Sequence, residues 1–315
     1  MGDAAAVRNA VDAAVRAAHS AEPGLIVAEG GFDPARVARA IHDVASAGRA
    51  RPFLAIDCGR GTPDSIARAL FGTTHARRDA AVEAIEHDSL LARAAGGTLV
   101  VGNLCELPAS VQLRLSRLLR DGELTLGETV MPLGTRLLAT ALPRLDADVR
   151  EHRFRPELFD RLQRIRIDVP PLRERRGDMP VLIAALFEEA CRAAGRQMSL
   201  APAATTALAA LSWPGNLAEL ERVLEQLVRT VSGDVIRQED VLEQVGLAQH
   251  HRRSGPLASL REARRAFERE YIATVLQEHR WRMTDAARAL GIQRANLYRK
   301  TRQLGITRLK PPRAL

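Results

Sequence analysis

Short apolar runs alternate with amphipathic segments through the first half of this 315-residue chain. This alternation predicts an α/β fold, in which a parallel sheet is covered by helices on both faces. The predicted strands are Gly24–Val27, Pro52–Asp57, Gly96–Val101, Arg136–Thr140 and Ile165–Val169. The predicted helices are residues 2–20, Val37–Ser46, Pro63–Leu70 and Pro108–Asp121, and Thr73–Ala81 is predicted to be an exposed loop or hairpin.

From Met179 onwards the strand pattern stops, and apolar positions recur at helical spacing. The predicted helices here are Met179–Ala194, Pro202–Leu211, Leu217–Val231, Gln238–Val245 and a long one, Leu260–Glu278. Residues 248–258 are polar and contain a Gly-Pro pair, which is typical of a linker. We therefore expect an α/β subdomain (1–170), a helical lid subdomain (171–247), a linker (248–258) and a small all-α domain (259–315).

Met283–Ile306 has the pattern of two short helices around a tight turn. Thr284 and Asp285 suit a helix start, and Gly291 suits the left-handed position that ends the first helix. Apolar residues occupy one face, namely Ala286, Ala287, Leu290, Ile292, Leu297 and Leu304. Hydrogen-bond donors and basic groups dominate the other positions, namely Gln293, Arg294, Asn296, Tyr298, Arg299, Lys300 and Arg302. This arrangement favours a helix-turn-helix that enters the major groove of double-stranded DNA, and the alternative is a solvated basic helix.

The charge supports the DNA interpretation, because it is unevenly placed. The chain has a formal net charge of +8, and residues 250–315 alone contribute +11, so that the rest is slightly acidic. A basic end on a near-neutral body predicts a polyanionic partner at that end. The three cysteines lie far apart without metal-ligand spacing, and no apolar run reaches bilayer length. We therefore expect no bound metal, no membrane association and a cytoplasmic location.

The loop after the first strand, AEGGFDPAR, stands where a phosphate-binding loop would stand. Asp33 would repel a phosphate, and Pro34 provides neither an N–H group nor a charge. The chain has only two lysines, Lys300 and Lys310, and both lie in its basic end. The lysine that a phosphate loop uses to reach the β- and γ-phosphates is therefore missing.

Several long motifs resemble one family, the bacterial enhancer-binding proteins of the NtrC type, which are AAA+ activators of sigma-54 RNA polymerase. The matching stretches are Val37–His42, Pro52–Cys58, Ala69–Gly72, Gly96–Leu99, Pro108–Leu119, Phe154–Leu162, Pro170–Pro180 and Trp213–Glu221. The end of the chain resembles the Fis-type helix-turn-helix of the same family, with Trp281-Arg282 where the family usually has Gly-Asn. The resemblance runs from about Gly24 to Ile306. It implies an AAA+ domain with a helical lid, followed by a Fis-type DNA-binding domain.

The chain departs from this family wherever the family binds nucleotide. In the Walker A motif, Gly31 is retained, but Ala28 replaces the first glycine and Asp33-Pro34 replaces Gly-Lys. Gly102 and Asn103 replace the two Walker B acids, although Mg²⁺ binding and water activation need carboxylates there.

Two further parts of the family's machinery have changed as well. Ala76–Ala81 replaces the GAFTGA loop that grips sigma-54, and Ala218 matches the sensor arginine. Arg155 and Arg161 match the arginine fingers, and without a nucleotide we expect them to form structural ion pairs. The resemblance therefore implies a degenerate nucleotide site, no cofactor, no ATPase activity and no remodelling of sigma-54.

The sequence thus favours a DNA-binding transcription regulator with an inactive AAA+ body. By residue-wise match with the Fis-type unit, Gln293, Arg294 and Asn296 would contact bases; Arg299, Lys300, Thr284 and Arg302 would contact phosphates, and Tyr298 would either pack or bind. Leu260–Glu278 would join a homodimer that reads a pseudo-palindromic site. RNA polymerase or a related AAA+ activator is a candidate partner. The alternatives are a Fis-like architectural DNA bender, a modulator in mixed oligomers with an active activator, and an active ATPase that uses atypical residues.

Overall fold

The computed structural model describes residues 5–73, 82–245, 272, 276, 281–289 and 294–304. The chain divides into two compact units, Met1–Gln238 and Glu239–Leu315, which are described separately below. No helix within the described ranges combines the length and the apolarity needed to cross a bilayer.

The first unit is built on a five-stranded sheet. The strands of the chain are β1 Gly24–Val27, β2 Phe53–Asp57, β3 Ala84–Ile85, β4 Thr98–Gly102, β5 Glu123–Leu126, β6 Thr129–Pro132, β7 Arg136–Ala141, β8 Ile165–Asp168, β9 Ser199–Leu200 and β10 Val235–Ile236. The central sheet has the order β2-β4-β7-β1-β8, and every neighbouring pair is parallel. The five predicted strands are the five strands of this sheet, so the predicted α/β class is confirmed.

Helices cover both faces of the sheet, as predicted. They are α1 Ala5–Ala18, α2 Pro34–Ser46, α3 Pro63–Phe71, α4 Leu90–Arg93, α5 Ala109–Asp121, α6 Leu145–Arg150 and α7 Pro156–Leu162. Helices α1 and α2 pack on one face around Ile26, Val100 and Leu138. The larger core on the other face contains Leu99 and Leu137 and is completed by α3, α5 and α7. Because both faces are buried, the inner strands β1, β4 and β7 are mostly apolar.

Helix α2 begins at Pro34, three residues before the predicted start at Val37. Asp33 is its N-cap, since the carboxylate accepts a hydrogen bond from the backbone N–H of Ala35 at 3.0 Å. A proline at the first helical position costs nothing, because that N–H has no partner within the helix. The residues that remove the phosphate-loop signature are therefore also a strong helix start.

The sequence analysis did not predict the small sheet formed by β3, β5 and β6, in which β3 and β5 are parallel and β5 and β6 antiparallel. Glu83 joins it to α5 through Arg114, with 3.0 Å between the carboxylate and the guanidinium and both side chains more than nine-tenths buried. Of the predicted loop Thr73–Ala81, only Thr73 lies within the described residues.

The lid consists of α8 Met179–Ala194, α9 Pro202–Ala210 and α10 Asn216–Thr230, together with the short parallel pair β9 and β10. A further helix, α11, covers residues 238–245. The predicted helices of this region are all present, with ends shifted by one residue at most. Helix α10 packs on α8 through an apolar stripe that includes Leu220, Leu224 and Leu227.

In the second unit, the described part contains α12 Met283–Ala289 and α13 Arg294–Gln303. They enclose a core formed by Ile272, Leu276, Ala286, Ala287 and Leu297, against which Trp281, Met283 and Leu304 also pack. The predicted helix-turn-helix pair is thus present, although α12 begins one residue before Thr284. The predicted turn at Gly291 and the long helix Leu260–Glu278, except residues 272 and 276, lie outside the described residues.

Candidate nucleotide site and nucleic-acid interface

The degenerate phosphate loop, Ala28–Asp33, connects the carboxyl end of β1 to α2. In a phosphate-binding loop, the free N–H groups at the helix start and a lysine hold the phosphates. Here the Asp33 carboxylate takes the Ala35 N–H group, and Pro34 has none. Arg36, in the first turn of α2, lies 3.8 Å from the Asp33 carboxylate, so this arginine already has an acidic neighbour.

Glu29 fastens this loop to the lid. Its carboxylate accepts two hydrogen bonds from the Arg173 guanidinium, at 2.6 and 2.7 Å. The same carboxylate accepts from the Asn216 side-chain amide at 3.3 Å, and that amide also donates to the carbonyl of Gly30 at 2.9 Å. The hydrogen bond from Arg173, followed by that from Asn216, holds the pKa of Glu29 below its usual range. We call this arrangement of Glu29, Arg173 and Asn216 the clasp.

Backbone contacts also join the loop to the lid, and we call this boundary between the loop and the lid the seam. Gly31 has a φ of 81°, and a Cβ atom added there would overlap the carbonyl group of Gly215. The carbonyl of Gly31 accepts from the N–H of Ala218 at 2.8 Å. Between the loop and the lid there remains a cavity of only about 10 Å³, lined among others by Phe32 and Leu172. That is the space of about one water molecule, whereas ligand pockets measure roughly 300–1,000 Å³.

At the Walker B position, an amide replaces the expected acid. Asn103 follows β4 in the left-handed conformation, with a φ of 55°, and its side-chain N–H₂ donates to the Asp57 carboxylate at 2.6 Å. Asp57 also accepts from the backbone N–H of Gly59 at 2.9 Å and pairs with Arg60 at 3.1 Å. The Asn103 hydrogen bond, then the one from Gly59, lowers the pKa of Asp57. The backbone of β2 passes close to Gly102, since a Cβ atom added at Gly102 would lie 3.2 Å from the carbonyl oxygen of Ile56.

The two candidate arginine fingers differ from our expectation. We expected structural ion pairs, but no carboxylate among the described residues lies within 4 Å of the guanidinium of Arg155 or Arg161 to form one. Arg155 is exposed, and its backbone N–H donates to the side-chain oxygen of Gln112 at 2.9 Å. The Nε of Arg161 is buried without a hydrogen-bond partner in the described part of the chain. Within the described residues, the expected ion pairs are therefore absent.

The remaining predicted features of the nucleotide site are distributed as follows. Ala28 is buried, and its N–H donates to the carbonyl of Ala141 at 3.0 Å. Ala218 provides only the backbone N–H already mentioned, and Ala76–Ala81 lies outside the described residues. Among the residues that the structure places, no cluster of side chains could hold a metal ion.

Helix α13 presents most of the predicted DNA contacts on its exposed side. Arg294, Asn296, Tyr298 and Arg299 are exposed, whereas Leu297 is fully buried between them and the core. The Arg294 guanidinium lies 5.7 Å from the centre of the Tyr298 ring, close enough for a cation–π contact. Arg299 donates to the side-chain oxygen of Asn296 at 3.2 Å. These two contacts limit the orientations of the side chains proposed for base contact.

The other four predicted contacts are placed less completely. Thr284 is exposed in the first turn of α12, and Lys300 is partly buried on α13. Arg302 belongs to α13, but its side chain lies outside the described part, as does the whole of Gln293. The assignment of bases and phosphates to individual residues therefore stays a prediction.

Sequence reasoning missed the clasp. Arg173 and Asn216 lie within motifs that the family resemblance had already singled out, but the resemblance gave them no role. Their partner Glu29 lies 144 and 187 positions away in the chain, so no local pattern connects the three residues. The detectable signal was only indirect: a charged residue inside a loop in which Ala28 and Asp33 stand where the family pattern has glycines.

Comparisons with known proteins agree with this architecture. Residues 1–168 match the model of the Sigma-54 interaction domain, 173–256 that of the AAA+ ATPase lid domain, and 263–304 that of the bacterial regulatory proteins of the Fis family. The hydrogenase transcriptional regulatory protein HoxA of Cupriavidus necator is 31% identical over 94% of this chain and 63% of its own length. The DNA-binding transcriptional regulator NtrC of Salmonella typhimurium is 31% identical over 97% of this chain and 70% of its own.

A crystal structure of NtrX from Brucella abortus is similar with a TM-score of 0.66 and 27% identity, over 97% of this chain and 69% of that one. A second NtrX structure, in complex with ATP, gives a TM-score of 0.64 at 26% identity. Fold and site together thus define an AAA+-type body joined to a Fis-type helix-turn-helix. The chain belongs to the sigma-54-dependent transcriptional regulators, and it spans about two thirds of the length of these relatives.

Proposed function

We propose that this chain is a sequence-specific DNA-binding regulator whose AAA+-type body neither binds nor hydrolyses ATP and does not remodel sigma-54. Membership of the family makes it a transcriptional regulator with a DNA-binding helix-turn-helix. ATP hydrolysis is typical of that family, so the proposal concerns what this body has lost.

The closed seam between loop and lid carries the proposal. ATP and Mg²⁺ do not fit the residues present: the cavity measures about 10 Å³, and Gly31 rests on Gly215. The Asp33 carboxylate adds negative charge where phosphates would lie. The side-chain amide of Asn103 donates a hydrogen bond to the Asp57 carboxylate, and Asn103 has no carboxylate with which to activate water.

The test is a measurement of nucleotide binding and turnover by the purified protein. We expect no binding of a fluorescent ATP analogue and no Mg²⁺-dependent phosphate release. The variant Asp33→Gly/Pro34→Lys restores the family's residue pair, and it should still fail to bind because the clasp and the Gly31–Gly215 contact remain. Mg²⁺-dependent ATP turnover that is lost in Arg161→Ala would establish an active ATPase instead.

DNA recognition requires a separate test. We propose a homodimer, joined through Leu260–Glu278, that reads a pseudo-palindromic site through α13. A genome-wide map of bound DNA should show a small number of sharp peaks that share an inverted repeat, and Arg294→Ala should lose them. Broad, weak occupancy by both proteins would favour the architectural alternative. The promoters beside the peaks would identify the RNA polymerase involved.

One observation favours a second role as a modulator in mixed oligomers with an active activator. Arg155 is exposed, so its guanidinium could act on a neighbouring subunit. The test is to titrate the chain into an active NtrC-type activator and follow its ATPase rate. A change in rate that depends on Arg155 would support this role, whereas an unchanged rate would exclude it.

A further inference from the structure

A polar cleft lies at the edge of the central sheet where the strands begin, at the opposite edge from the degenerate phosphate loop. It measures about 680 Å³, and its lining includes His19, His42, Arg51, Thr98, Thr135 and Arg136. None of the described residues that line it is an aspartate or a glutamate. Its volume lies within the range of about 300–1,000 Å³ that is usual for small-molecule sites. We call it the amino-end cleft.

Arg136, at the start of β7, is the unusual residue of this cleft. Its guanidinium donates to two backbone carbonyls, from Nη2 to Ala17 at 2.5 Å and from Nε to Glu22 at 3.3 Å. Its Nη1 is buried without a hydrogen-bond partner among the described residues. Burial alone lowers the pKa of Arg136, and no carboxylate offsets it. A guanidinium withdrawn from water without a counter-ion is costly, so an anion beside it would stabilise the protein.

The opposite wall of the cleft is fixed by His42. Its Nδ1 lies 2.9 Å from the hydroxyl of Thr98, its Nε2 lies 3.3 Å from the hydroxyl of Ser46, and its ring contacts Phe53 edge-on. Burial, the largest influence, lowers the pKa of His42, so that its ring is neutral at pH 7. The positive charge facing the cleft therefore comes from Arg136 and from the exposed Arg51, with exposed His19 beside them.

We propose that the amino-end cleft binds a small anion that carries carboxylate or phosphate groups, with Arg51 and Arg136 as its cationic contacts. Arginine suits both groups, because its planar donors match two oxygens at once. This proposal goes beyond the function proposed above and does not depend on it. It gives a body without nucleotide chemistry a means of responding to a metabolite.

The experiment is calorimetric titration of the full chain at constant ionic strength, with inorganic phosphate and citrate as probes and chloride as the reference anion. One of the two probes should bind with saturation, which also distinguishes a phosphate ligand from a carboxylate ligand. Arg51→Ala should weaken that binding by about tenfold or more, as expected for the loss of a charged hydrogen-bond donor. Arg49→Ala is the matched control, because Arg49 is equally exposed two residues away but does not line the cleft.

Two further variants separate the cleft from the basic end of the chain and guard against misfolding. Arg294→Ala should impair DNA recognition but leave the anion affinity unchanged. Arg136→Gln should abolish binding of the anion. If this variant does not fold, Arg51→Ala and His19→Ala provide the test instead, because both residues are exposed and their replacement should not disturb folding. The proposal is overturned if neither probe binds more tightly than chloride, or if Arg51→Ala and Arg49→Ala bind equally well.

Discussion

Asn103 and Asp57 form a pair in which an amide occupies the place where the family resemblance implies an acid. The 2.6 Å hydrogen bond between them needs one donor and one acceptor, and two carboxylates could not make it at neutral pH. The left-handed backbone of Asn103 suits this residue as well, because asparagine adopts that conformation more readily than most side chains. An asparagine at position 103 therefore stabilises the local structure.

Asn103→Asp should consequently destabilise the protein, by about 1–2 kcal/mol at pH 7, since it brings two carboxylates together. In the wild type, the lowered pKa of Asp57 means that its stabilising contribution is complete above the unfolded pKa and is lost as the pH falls through the folded pKa. In the variant, the repulsion raises the pKa of the pair, so the penalty shrinks when the pH falls towards 4. The free energies of unfolding of the variant and of the wild type, measured with urea at pH 7 and at pH 4, give the penalty at each pH. Asn103→Gly is the control, because it lacks the second carboxylate and should show no such recovery.

On the recognition helix, Arg294 is the residue with the largest expected effect. Arg294→Ala should weaken specific DNA binding by about 1–3 kcal/mol and relax sequence choice at one position of the site. Competition between specific and random DNA measures both effects. Arg222→Ala, which removes an exposed arginine of the lid, should leave the competition unchanged. An unaltered site preference in Arg294→Ala would contradict the assignment of this residue to a base.

At the scale of elements, the small sheet of β3, β5 and β6 depends on one buried ion pair. Arg114 contacts the Glu83 carboxylate, donates to the carbonyl of Ala84 at 2.9 Å, and lies 3.8 Å above the ring of Phe71. It thus ties together α5, β3 and α3. Arg117 is a second, more distant cation, 3.6 Å from the same carboxylate.

Arg114→Met should destabilise the protein by about 3 kcal/mol, because the buried Glu83 carboxylate would lose its main partner. The double variant Arg114→Met/Glu83→Leu should recover most of this loss, since it leaves no unpaired charge. The free energy of unfolding of both variants, measured with urea, gives the result. A double variant as unstable as the single one would mean that the packing of Arg114 on Phe71, rather than the ion pair, holds the small sheet.

The same elements indicate what the sequence could and could not predict. The five strands of the central sheet were predicted because their apolar runs are buried on both faces. Ala84–Ile85 is too short for any period to appear. Thr129–Pro132 is exposed at all four positions, so no buried face gives it an apolar pattern. The early start of α2 was missed because Asp33 and Pro34 were considered as a lost phosphate loop and not as a cap.

At the candidate nucleotide site, the losses at Asp33, Pro34, Gly102 and Asn103 could be identified by comparison with a family pattern. What fills the space they leave could not be predicted. The clasp joins residues from both subdomains of the first unit, and such pairings depend on how the subdomains pack. Likewise, nothing in the sequence distinguished Arg136, which lacks a counter-ion in the described structure, from the other arginines of the chain.

For the molecule as a whole, the uneven charge predicts where salt will act. Net positive charge is confined to residues 250–315, so the DNA affinity should fall steeply with ionic strength. Lys300→Ala should make the plot of log affinity against log salt shallower by about 1, and it should weaken binding to all sequences alike. Fluorescence anisotropy over a salt series measures this slope. An unchanged slope would mean that Lys300 does not contact a phosphate.

The contact between Gly31 and Gly215 also bears on how the first unit melts. In a hinged pair of subdomains, each part can lose its structure at its own temperature. Here the loop from the sheet rests on the turn that starts α10, and the clasp crosses the same boundary. Neither part can unfold without exposing the other's packed surface. Heating should therefore give a single cooperative transition for sheet and lid, with equal calorimetric and van't Hoff enthalpies, and a variant that opens this seam should split it into two.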